Sequence, residues 1–326
     1  MTTAQILEGY AERSALVVGD ICLDRRCIYD PGMTEPSRET GIPRTGIVST
    51  EVAPGAGGSV ASNLAALGIG RAAVLGVLGR DGHAYELTQA LNARGILTDL
   101  LVRASEVPTF TYTKLINGRN GAEDLSRIDF LNTRPLPESV EQEVLGYLQE
   151  FAPNFDVIFI SDQADTKRGG VVTSSVRAEL EKIAEANPEK IIWADSQIRV
   201  ERFRKMILKP NESEANAASI ALFGKVDYHR LRNHADSKLI FVTKGAEGVL
   251  VVENGTQTLV PARVVEKPAD ISGAGDSFSA GAAVALAITG SPLDAARFGN
   301  LVASITVTKN GTGVATPAEV LAAAGE

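Results

Sequence analysis

Apolar runs and longer stretches of helical spacing alternate along most of the chain. The apolar runs are rich in β-formers and cover residues 15–18, 72–77, 157–160, 191–194, 239–243 and 248–252. Helical spacing occupies several of the intervals, at residues 60–67, 84–94, 140–151, 171–187 and 276–288. Because residues 157–160 are apolar without alternation, we expect a strand that is buried on both faces. The repeated order of strand and helix predicts an α/β fold with a central, mostly parallel β-sheet flanked by helices.

Two segments interrupt this order. Residues 22–52 are rich in Arg, Pro, Gly and Thr and have no helical period. Residues 104–130 contain an alternating stretch followed by Asn117-Gly118, a dipeptide that is common in hairpin turns. We predict that both segments form short antiparallel strands that stand off the main sheet as a small β lid, and the alternative is a pair of long loops. Since the chain has no internal repeat and no linker, residues 1–326 are predicted to form one domain that carries this lid.

Composition and charge narrow the class of protein. Of the residues, 44% are hydrophobic and 22% are charged, which excludes a disordered or low-complexity chain. The formal net charge of −8 argues against a nucleic-acid partner, because proteins that bind nucleic-acid phosphates usually carry a basic surplus. No apolar run is long enough to span a bilayer, and the first residues lack the pattern of a secretory signal. We therefore expect a cytoplasmic protein without a membrane partner.

Cysteine and histidine form no metal-binding pattern. Cys22 and Cys27 have no second pair of ligands nearby, and the 3 histidines are scattered. We expect two reduced thiols, and we expect any metal to be of the kind that prefers oxygen ligands.

The stretch from residue 268 to 287 carries the strongest chemical signal, with the sequence PADISGAGDSFSAGAAVALA. Gly273-Ala274-Gly275 precedes a segment of small apolar residues that is typical of a helix buried on every side. Free N–H groups at the start of such a helix can bind a phosphate. Asp276, at that position, either caps the helix or takes the proton of an attacking hydroxyl group. A dinucleotide-binding loop is the weaker alternative, since GAGDSF lacks the third glycine.

A second glycine-rich stretch precedes another helix of small residues, at 53–68, with the sequence APGAGGSVASNLAALG. One such helix entrance is only a weak indication, because tight packing also selects glycine. Two entrances in one α/β chain suggest that one holds a phosphate and the other holds a substrate with hydroxyl groups.

These two stretches together resemble the signature regions of the ribokinase-like (PfkB) carbohydrate kinase family. The resemblance covers almost the whole chain and includes VVGDICLD at 17–24, KPNESE at 209–214, VTKGAEG at 242–248 and FGNLVASITVTKNGTG at 298–313. Within the family, the chain is most similar to the heptose 7-phosphate kinase domain. The shared features are the G-D-x-x-L-D opening, the pair Ser37-Arg38 and the R-x-D-F stretch at 127–130.

The resemblance implies roles for the residues at the point of phosphoryl transfer. Asp276 would be the general base, and the N–H groups of Gly273, Ala274 and Gly275 would bind the γ-phosphate of ATP. Asn211 and Glu214 would orient Mg²⁺ and the phosphates, mostly through water, which suits an ion that keeps much of its hydration. The structural alternative is that Asn211 caps the helix that follows it.

The resemblance also implies the surrounding binding sites. Thr243, Gly245 and Gly248 would form the nucleotide-binding turn, and Asn300 would lie beside the adenine; the alternative is a turn between strands and a polar helix residue. Asp270 and Ser272 would bind a monovalent cation such as K⁺, opposite residues 310–313. Asp24 would accept the hydroxyl groups of the sugar, together with residues Gly57, Gly58 and Ser59 of the first glycine-rich stretch.

Departures from the family pattern lie on the side of the phosphate acceptor. Ser59 stands where relatives carry an Asn that contacts the sugar, and the glycine pair is displaced to Gly57-Gly58. Residues 162–166 replace the D-Y-x-K-G pattern of the heptose kinases. Five arginines of the lid segments would favour a phosphorylated sugar, unless they only form a solvated charged face: Arg25, Arg26, Arg38, Arg44 and Arg119.

The sequence therefore predicts an ATP-dependent kinase with a ribokinase-like fold that phosphorylates a hydroxyl group of a sugar or sugar phosphate. A kinase for nucleosides or other small alcohols, and a sugar- or nucleotide-binding protein without turnover, are the alternatives. Unpaired strand edges in the lid would allow a homodimer.

Overall fold

The computed structural model describes residues 1–164, 166 and 168–326, which form strands and helices in alternation. The strands are β1 (Ser14–Gly19), β2 (Ile21–Tyr29), β3 (Ile47–Ala56), β4 (Arg71–Gly79), β5 (Leu101–Ala104), β6 (Thr111–Asn117), β7 (Ile128–Phe130), β8 (Val157–Asp162), β9 (Ile191–Ser196), β10 (Ile207–Leu208), β11 (Ile240–Thr243), β12 (Val249–Val252) and β13 (Gln257–Val260). The helices are α1 (Thr3–Tyr10), α2 (Gly57–Ala66), α3 (Gly82–Asn92), α4 (Glu138–Phe151), α5 (Ser174–Ala186), α6 (Glu212–Phe223), α7 (Tyr228–His234), α8 (Ala274–Thr289), α9 (Pro292–Thr306) and α10 (Pro317–Ala324).

The main sheet has the strand order β13-β12-β11-β10-β9-β8-β1-β4-β5 and is parallel from β5 to β11. The last two strands, β12 and β13, are antiparallel to their neighbours. The prediction of a mostly parallel sheet is confirmed. Since the carboxyl ends of β1, β8, β9 and β10 lie at one edge, the residues that follow these strands are brought together there.

Helices cover both faces of this sheet, as the apolar pattern predicted. One core lies between the sheet and α1, α2, α3, α8, α9 and α10, and the other lies between the sheet and α4, α5, α6 and α7. Strand β8 is buried along its whole length, in agreement with its continuous apolar run. The helix expected at 171–187 begins later, at Ser174, because the Thr173 hydroxyl accepts from the Val176 N–H and caps it. No described helix is both long and apolar enough to cross a bilayer.

The segments 22–52 and 104–130 supply a second sheet, which we call the small sheet, with the order β3-β2-β6-β7. Two details differ from the sequence prediction. The pairing of β2 with β6 is parallel, because their connection crosses through the main sheet rather than through a hairpin. Asn117-Gly118 does not form a two-residue hairpin turn: the Gly121 N–H donates to the Asn117 carbonyl oxygen, and the reversal extends to Ala122.

Helices α8 and α9 pack at very short distance through glycines. A Cβ on Gly299 would lie 2.8 Å from the Phe278 ring and 2.9 Å from the Ala282 Cβ, and a Cβ on Gly281 would lie 3.1 Å from the Gly299 Cα. Residues 277–286 of α8 are buried, so the prediction of a helix buried on every side is confirmed for this part. The close contact fixes α8, and with it the position of the first turn.

We expect Gly299→Ala to lower the free energy of unfolding by about 1–3 kcal/mol, because a dense interface cannot accept another methyl group. Urea denaturation measures this change. The matched control is Gly146→Ala in α4, where a Cβ would meet no atom within 4 Å. That control should raise stability by about 0.5–1 kcal/mol, the usual gain of Ala over Gly inside a helix. Equal effects of the two substitutions would contradict the interface argument.

A strained residue precedes α2. Ala56 has φ 48° and ψ −124°, a region that glycine adopts freely and alanine does not. It is held there because the Gly57 N–H donates to the Asp20 carbonyl oxygen while Ala56 remains paired with Ile21. The displaced glycine pair therefore leaves the strained position to an alanine.

Ala56→Gly is expected to stabilise the fold. Relief of strain is worth about 1–3 kcal/mol, and the extra entropy of an unfolded glycine subtracts about 0.5–1 kcal/mol. A net gain of about 1 kcal/mol should appear as a higher midpoint in urea at an unchanged slope. A lower midpoint would mean that Ala56 is not strained.

Candidate active site

A cavity of about 480 Å³ lies between the small sheet and the carboxyl edge of the main sheet. The small sheet contributes charged side chains, and the segment around the start of α8 contributes carboxylates and a glycine: Asp24, Lys114, Arg127, Asp270, Gly273 and Asp276. Topology explains this meeting, since β2 leaves the main sheet directly after β1 and α8 points its first turn at the same edge.

Asp276 occupies the first turn of α8 and is half-buried at the cavity wall. Burial raises the pKa of its carboxyl group to about 7; repulsion from Asp195 adds to the rise, and Lys209 opposes it. Gly273 begins the helix at φ 75°, a left-handed conformation that favours glycine. A carboxyl group that titrates near neutrality and faces a cavity has the properties of a general base.

The first turn of α8 also provides hydrogen-bond donors, though not the set that the sequence predicted. The Ala274 N–H donates to the Ile271 carbonyl oxygen at 3.2 Å, so it is not free. In the described parts of the chain, the N–H groups of Gly273 and Gly275 donate to no protein acceptor. An anion bound at this helix start would therefore meet the N–H groups of Gly273 and Gly275, while the Ala274 N–H holds the turn.

A buried ion pair that the sequence analysis missed lies against this turn. Lys209 Nζ is 2.5 Å from Asp195 Oδ2, and the two side chains are 6% and 12% exposed. Both residues lie at the carboxyl edge, Asp195 near the end of β9 and Lys209 directly after β10. The available signal was the one that identified Asp24: a charged side chain at the end of a parallel strand.

Asp24, on β2, faces the cavity with its carboxylate largely withdrawn from water. Burial raises its pKa to about 6, against the opposing effect of Lys114 and Arg127. Gly55 on the neighbouring strand makes room for it, because a Cβ there would lie 2.6 Å from the carboxylate. Asp24 lines the cavity, and its contact with the acceptor stays a prediction. Lys114 and Arg127 were not predicted as site residues.

Gly57 and Gly58 serve packing rather than the cavity wall. A Cβ on Gly57 would lie 2.7 Å from Ile21 Cδ1, and one on Gly58 would lie 2.7 Å from the Pro54 Cβ. Ser59 is buried as well, and its hydroxyl group lies against the start of α8: a Cβ on Gly273 would lie 3.3 Å from Ser59 Oγ. Among the described residues this oxygen makes no hydrogen bond of ordinary geometry, but it lies near enough to the Asp276 carboxyl group to lower the pKa of that group. Of these three predicted substrate residues, the structure brings Ser59 alone to the start of α8.

Asn211 and Glu214 form a capping box at the start of α6. The Asn211 side chain accepts from the Glu214 N–H at 2.9 Å, and Glu214 Oε2 accepts from the Asn211 N–H at 2.7 Å. The structural alternative from the sequence is thus present. Glu214 keeps Oε1 outside this pair of bonds, and burial, followed by Asp195, raises the pKa of its carboxyl group. Carboxylate oxygens are ligands that suit Mg²⁺, and one such ligand is compatible with an ion held largely by water and phosphate.

The predicted nucleotide-binding residues make a tight turn. Thr243 ends β11, and Gly245 and Gly248 have φ 57° and 110° in the connection to the antiparallel β12. A Cβ on Gly248 would lie 2.1 Å from the Val260 carbonyl oxygen, so the turn requires glycine. The Asn300 side chain donates to the carbonyl oxygens of Val260 and Pro261. These contacts are structural, and the nucleotide role of the four residues stays a prediction.

Asp270 connects two loops at the cavity rim. Its carboxylate accepts from the Ser272 N–H at 2.8 Å and from the Gly311 N–H at 3.2 Å, and both bonds and nearby Lys114 lower its pKa although burial opposes them. The predicted proximity of Asp270 to residues 310–313 is therefore present. The monovalent-cation role of Asp270 and Ser272 stays a prediction.

The arginines of the small sheet and its loops are mostly paired with carboxylates. The ion pairs are Arg25–Glu86, Arg26–Glu51, Arg44–Glu35 and Arg119–Asp30. Arg127 is likewise paired with Asp129 at 2.7 Å. The expectation that these arginines bind a phosphate directly is weakened, since an incoming anion would compete with a carboxylate in each case.

The loop after β8 departs from the heptose kinase pattern and has a structural role. Asp162 forms a fully buried ion pair with Arg199, and the Thr166 hydroxyl donates to the Asn132 carbonyl oxygen. Asp165 lies outside the described residues. Asp20, which was not predicted, accepts three backbone N–H groups of this loop, from Gln163, Ala164 and Val171. Cys22 and Cys27 form no disulfide and are buried, whereas the sequence suggested half-buried thiols.

The fold has close counterparts among solved structures. A ribokinase from Thermotoga maritima superposes with a TM-score of 0.69 at 23% identity, over 96% of this chain and 100% of that one. The Arabidopsis thaliana ribokinase in complex with ribose and ATP superposes with a TM-score of 0.70 at 19% identity, over 96% and 98%. These likenesses establish a ribokinase-like fold.

Curated relatives match at the level of sequence. The bifunctional protein HldE of Trichlorobacter lovleyi is 32% identical over 319 residues, which cover 94% of this chain and 62% of that protein. The bifunctional protein HldE of Bradyrhizobium diazoefficiens is 30% identical over 329 residues, covering 97% and 63%. The chain thus spans less than two thirds of the length of these relatives. The model of the pfkB family carbohydrate kinases matches residues 17–319. The chain therefore belongs to the pfkB family of carbohydrate kinases, phosphotransferases that act on sugars or related alcohols.

Proposed function

We propose that this protein transfers the γ-phosphoryl group of ATP to a hydroxyl group of a sugar or sugar phosphate. The observation that carries this proposal is the first turn of α8, where Gly273 and Asp276 line the cavity and the unpaired N–H groups of Gly273 and Gly275 lie in the same turn. Asp24 lines the same cavity. A base, an anion site and an acceptor site in one cavity are the requirements of this reaction.

Asp276 acts as the general base. The acceptor hydroxyl group passes its proton to the Asp276 carboxylate as its oxygen forms a bond to the γ-phosphorus, and the bond from phosphorus to the bridging oxygen of ADP breaks. Gly273 and Gly275 N–H groups donate to the phosphoryl oxygens that carry the developing charge. Rigid attachment of α8 to α9 keeps these donors in place before the substrate arrives.

The nucleotide and its metal ion are assigned to the adjoining edge of the main sheet. Glu214 would hold hydrated Mg²⁺ through its free carboxylate oxygen, with Asn211 fixing the orientation of Glu214. Mg²⁺, when bound, supplies neutralisation of the phosphate charge. Thr243, Gly245, Gly248 and Asn300 would form the wall of the nucleotide site, and Asp270 with Ser272 would serve a monovalent cation such as K⁺.

The acceptor side supports a polyhydroxylated molecule. Asp24 is a half-buried carboxylate without a strong hydrogen-bond donor among the described residues, and two sugar hydroxyl groups would satisfy it. Resemblance to the heptose 7-phosphate kinase domain favours a sugar phosphate. A nucleoside or another small alcohol is the second candidate, favoured by Ser59 and by the carboxylate-paired arginines, which depart from that subfamily.

Two further assignments belong to this proposal. The edge strands β3 and β7 expose apolar side chains, with Val48 at 55% and Ile128 at 50%, which a second copy of the chain would cover in a homodimer. A cytoplasmic location would supply the ATP that the reaction consumes.

The test is ADP release from Mg·ATP, with and without K⁺, over ribose, fructose, fructose phosphates, heptose 7-phosphate and nucleosides. One strong acceptor should emerge, and Asp276→Asn should lower turnover with it by about 10²–10⁴-fold, the usual contribution of a general base. The variant must keep its fold and its affinity for ATP. Undiminished turnover in a folded variant would show that Asp276 is not the general base. If the wild-type protein released no ADP with any acceptor, the result would favour a binding protein without turnover.

The pH dependence of kcat/KM is expected to follow Asp276. Because its pKa is raised to about 7, the base is protonated and inactive below that pH, and activity rises as pH increases through about 7. Below about pH 6 the fall should steepen, since Asp24 with its pKa of about 6 is protonated as well. Asp24→Asn should lower activity and remove only this second ionisation. A profile that is flat from acid to neutral pH would contradict the assignment of the base.

A further inference from the structure

Lys209 presents a buried ammonium group to the first turn of α8. A Cβ on Gly275 would lie 3.1 Å from Lys209 Nζ, so the ammonium group occupies the space beside that residue. In the described parts of the chain its hydrogen-bonding partner is the Asp195 carboxylate, at 2.5 Å. An ammonium group has three protons to donate. The Lys209 ammonium therefore retains donors beyond the one that Asp195 accepts.

The surroundings keep this lysine charged. Burial alone would lower its pKa, but the carboxylates of Asp195, Glu214 and Asp276 outweigh burial and raise the pKa above its ordinary value. Several carboxylates thus share one neighbouring cation at a place where a phosphate must also bind. A polyanion would be repelled there unless the cation were present.

The other buried ion pair of the described residues, Arg199–Asp162, shows how a structural pair is arranged. Arg199 donates to Asp162 from both Nε and Nη2, and its Nη1 donates to the Thr166 carbonyl oxygen. Every nitrogen of that guanidinium group donates a hydrogen bond to the protein. The Lys209 ammonium group instead donates to one carboxylate, that of Asp195, and lies beside Gly275, whose N–H group has no protein acceptor in the described residues.

We propose that Lys209 is a catalytic residue whose ammonium group contacts the terminal phosphoryl group of the nucleotide, and that Asp195 is the positioning residue that holds Lys209 there. This inference rests on the proposed function and adds to it a side chain that binds the γ-phosphate. Lys209 keeps its protons throughout. Its contact strengthens as the phosphoryl oxygens gain charge, while the acceptor proton goes to Asp276 and the bond to ADP breaks.

The Ser59 hydroxyl group lies beside the same helix start. A Cβ on Gly273 would lie 3.3 Å from Ser59 Oγ, and this hydroxyl group lowers the pKa of Asp276, so Ser59 lies toward that carboxyl group. Lys209, by contrast, keeps donors that no described residue takes up. A buried donor without an acceptor is costly, so Lys209 is expected to gain a partner when the site is filled.

The experiment compares the binding of two nucleotides that differ in the γ-phosphate, Mg·ADP and the non-hydrolysable analogue Mg·AMP-PNP, by titration calorimetry. Lys209→Met removes the charge and keeps the length of the side chain. This substitution should weaken the binding of AMP-PNP by about 10–100-fold, which is the usual effect of losing hydrogen bonds to a charged group. The affinity for ADP should stay within roughly twofold of the wild-type value. An equal loss for both nucleotides, or no loss for either, would overturn the proposal.

A double variant separates contact from folding. Lys209→Met alone leaves the Asp195 carboxylate buried without its partner, whereas Lys209→Met with Asp195→Asn removes both charges and restores packing. If Lys209 contacts the phosphoryl group, the double variant recovers stability but still discriminates poorly between AMP-PNP and ADP. Recovery of discrimination in the double variant would show that the pair is structural, and would refute the proposal. Asp195→Asn alone should reduce discrimination less than Lys209→Met.

Lys190 provides the matched control. It is a half-buried lysine at the opposite edge of the main sheet, whose Nζ donates to the carbonyl oxygens of Pro153 and Phe155. Lys190→Met should leave the ratio of the two nucleotide affinities unchanged. With the acceptor identified, Lys209→Met should lower kcat and leave the KM of the acceptor unchanged, which a structural defect would not do selectively. A wild-type protein that binds neither nucleotide would instead refute the proposed function itself, and this inference with it.

Discussion

The first turn of α8 combines two groups with opposite electrostatic demands, and the rest of the site is arranged around that conflict. The free N–H groups of Gly273 and Gly275 favour an anion, while the Asp276 carboxylate repels one. Bringing both to one place is useful only if the carboxylate gives up part of its charge or a cation compensates it. Partial burial does the first, since it raises the pKa of Asp276 to about 7, and Lys209 does the second. The Asp195 carboxylate partly neutralises the charge of Lys209, so that the local charge is balanced.

This arrangement has a cost in stability. Because Asp276 binds its proton more tightly in the folded chain than in the unfolded one, its contribution to stability is present at low pH and is lost as pH rises through about 7. The same holds for Asp24, with its pKa raised to about 6. The dense packing of α8 on α9 through Gly281 and Gly299 supplies rigidity elsewhere in the same helix. The buried apolar part of α8 thus stabilises the helix, while the charged groups at its first turn destabilise the folded state at neutral pH.

The strand–helix order and the position of Asp276 were predictable because both depend on local signals. Apolar runs mark the strands of a covered parallel sheet, and a glycine-rich entrance marks a helix start. The parallel pairing of β2 with β6 was not predictable, because tertiary contacts set the register and direction of strands that come from distant segments. The Lys209–Asp195 pair was missed although the two residues are only 14 positions apart, because the tertiary structure is what brings the end of β9 next to the residue that follows β10. A rule that takes every charged residue at the end of a parallel strand as a site candidate would have found both.

The two sides of the cavity differ in how strictly their chemistry constrains the chain. On the phosphoryl side of the proposed mechanism, a base, free N–H groups and a cation must meet at the start of one helix, and few residue types satisfy that geometry. On the acceptor side, the requirement is only that hydroxyl groups find partners, which many side chains can provide. The chain departs from its relatives on this second side, at Ser59, at the strained Ala56 and at arginines paired with carboxylates. In the proposed mechanism, phosphoryl transfer and acceptor choice are therefore separable: the first would depend on α8 and the ends of β9 and β10, and the second would vary with the small sheet.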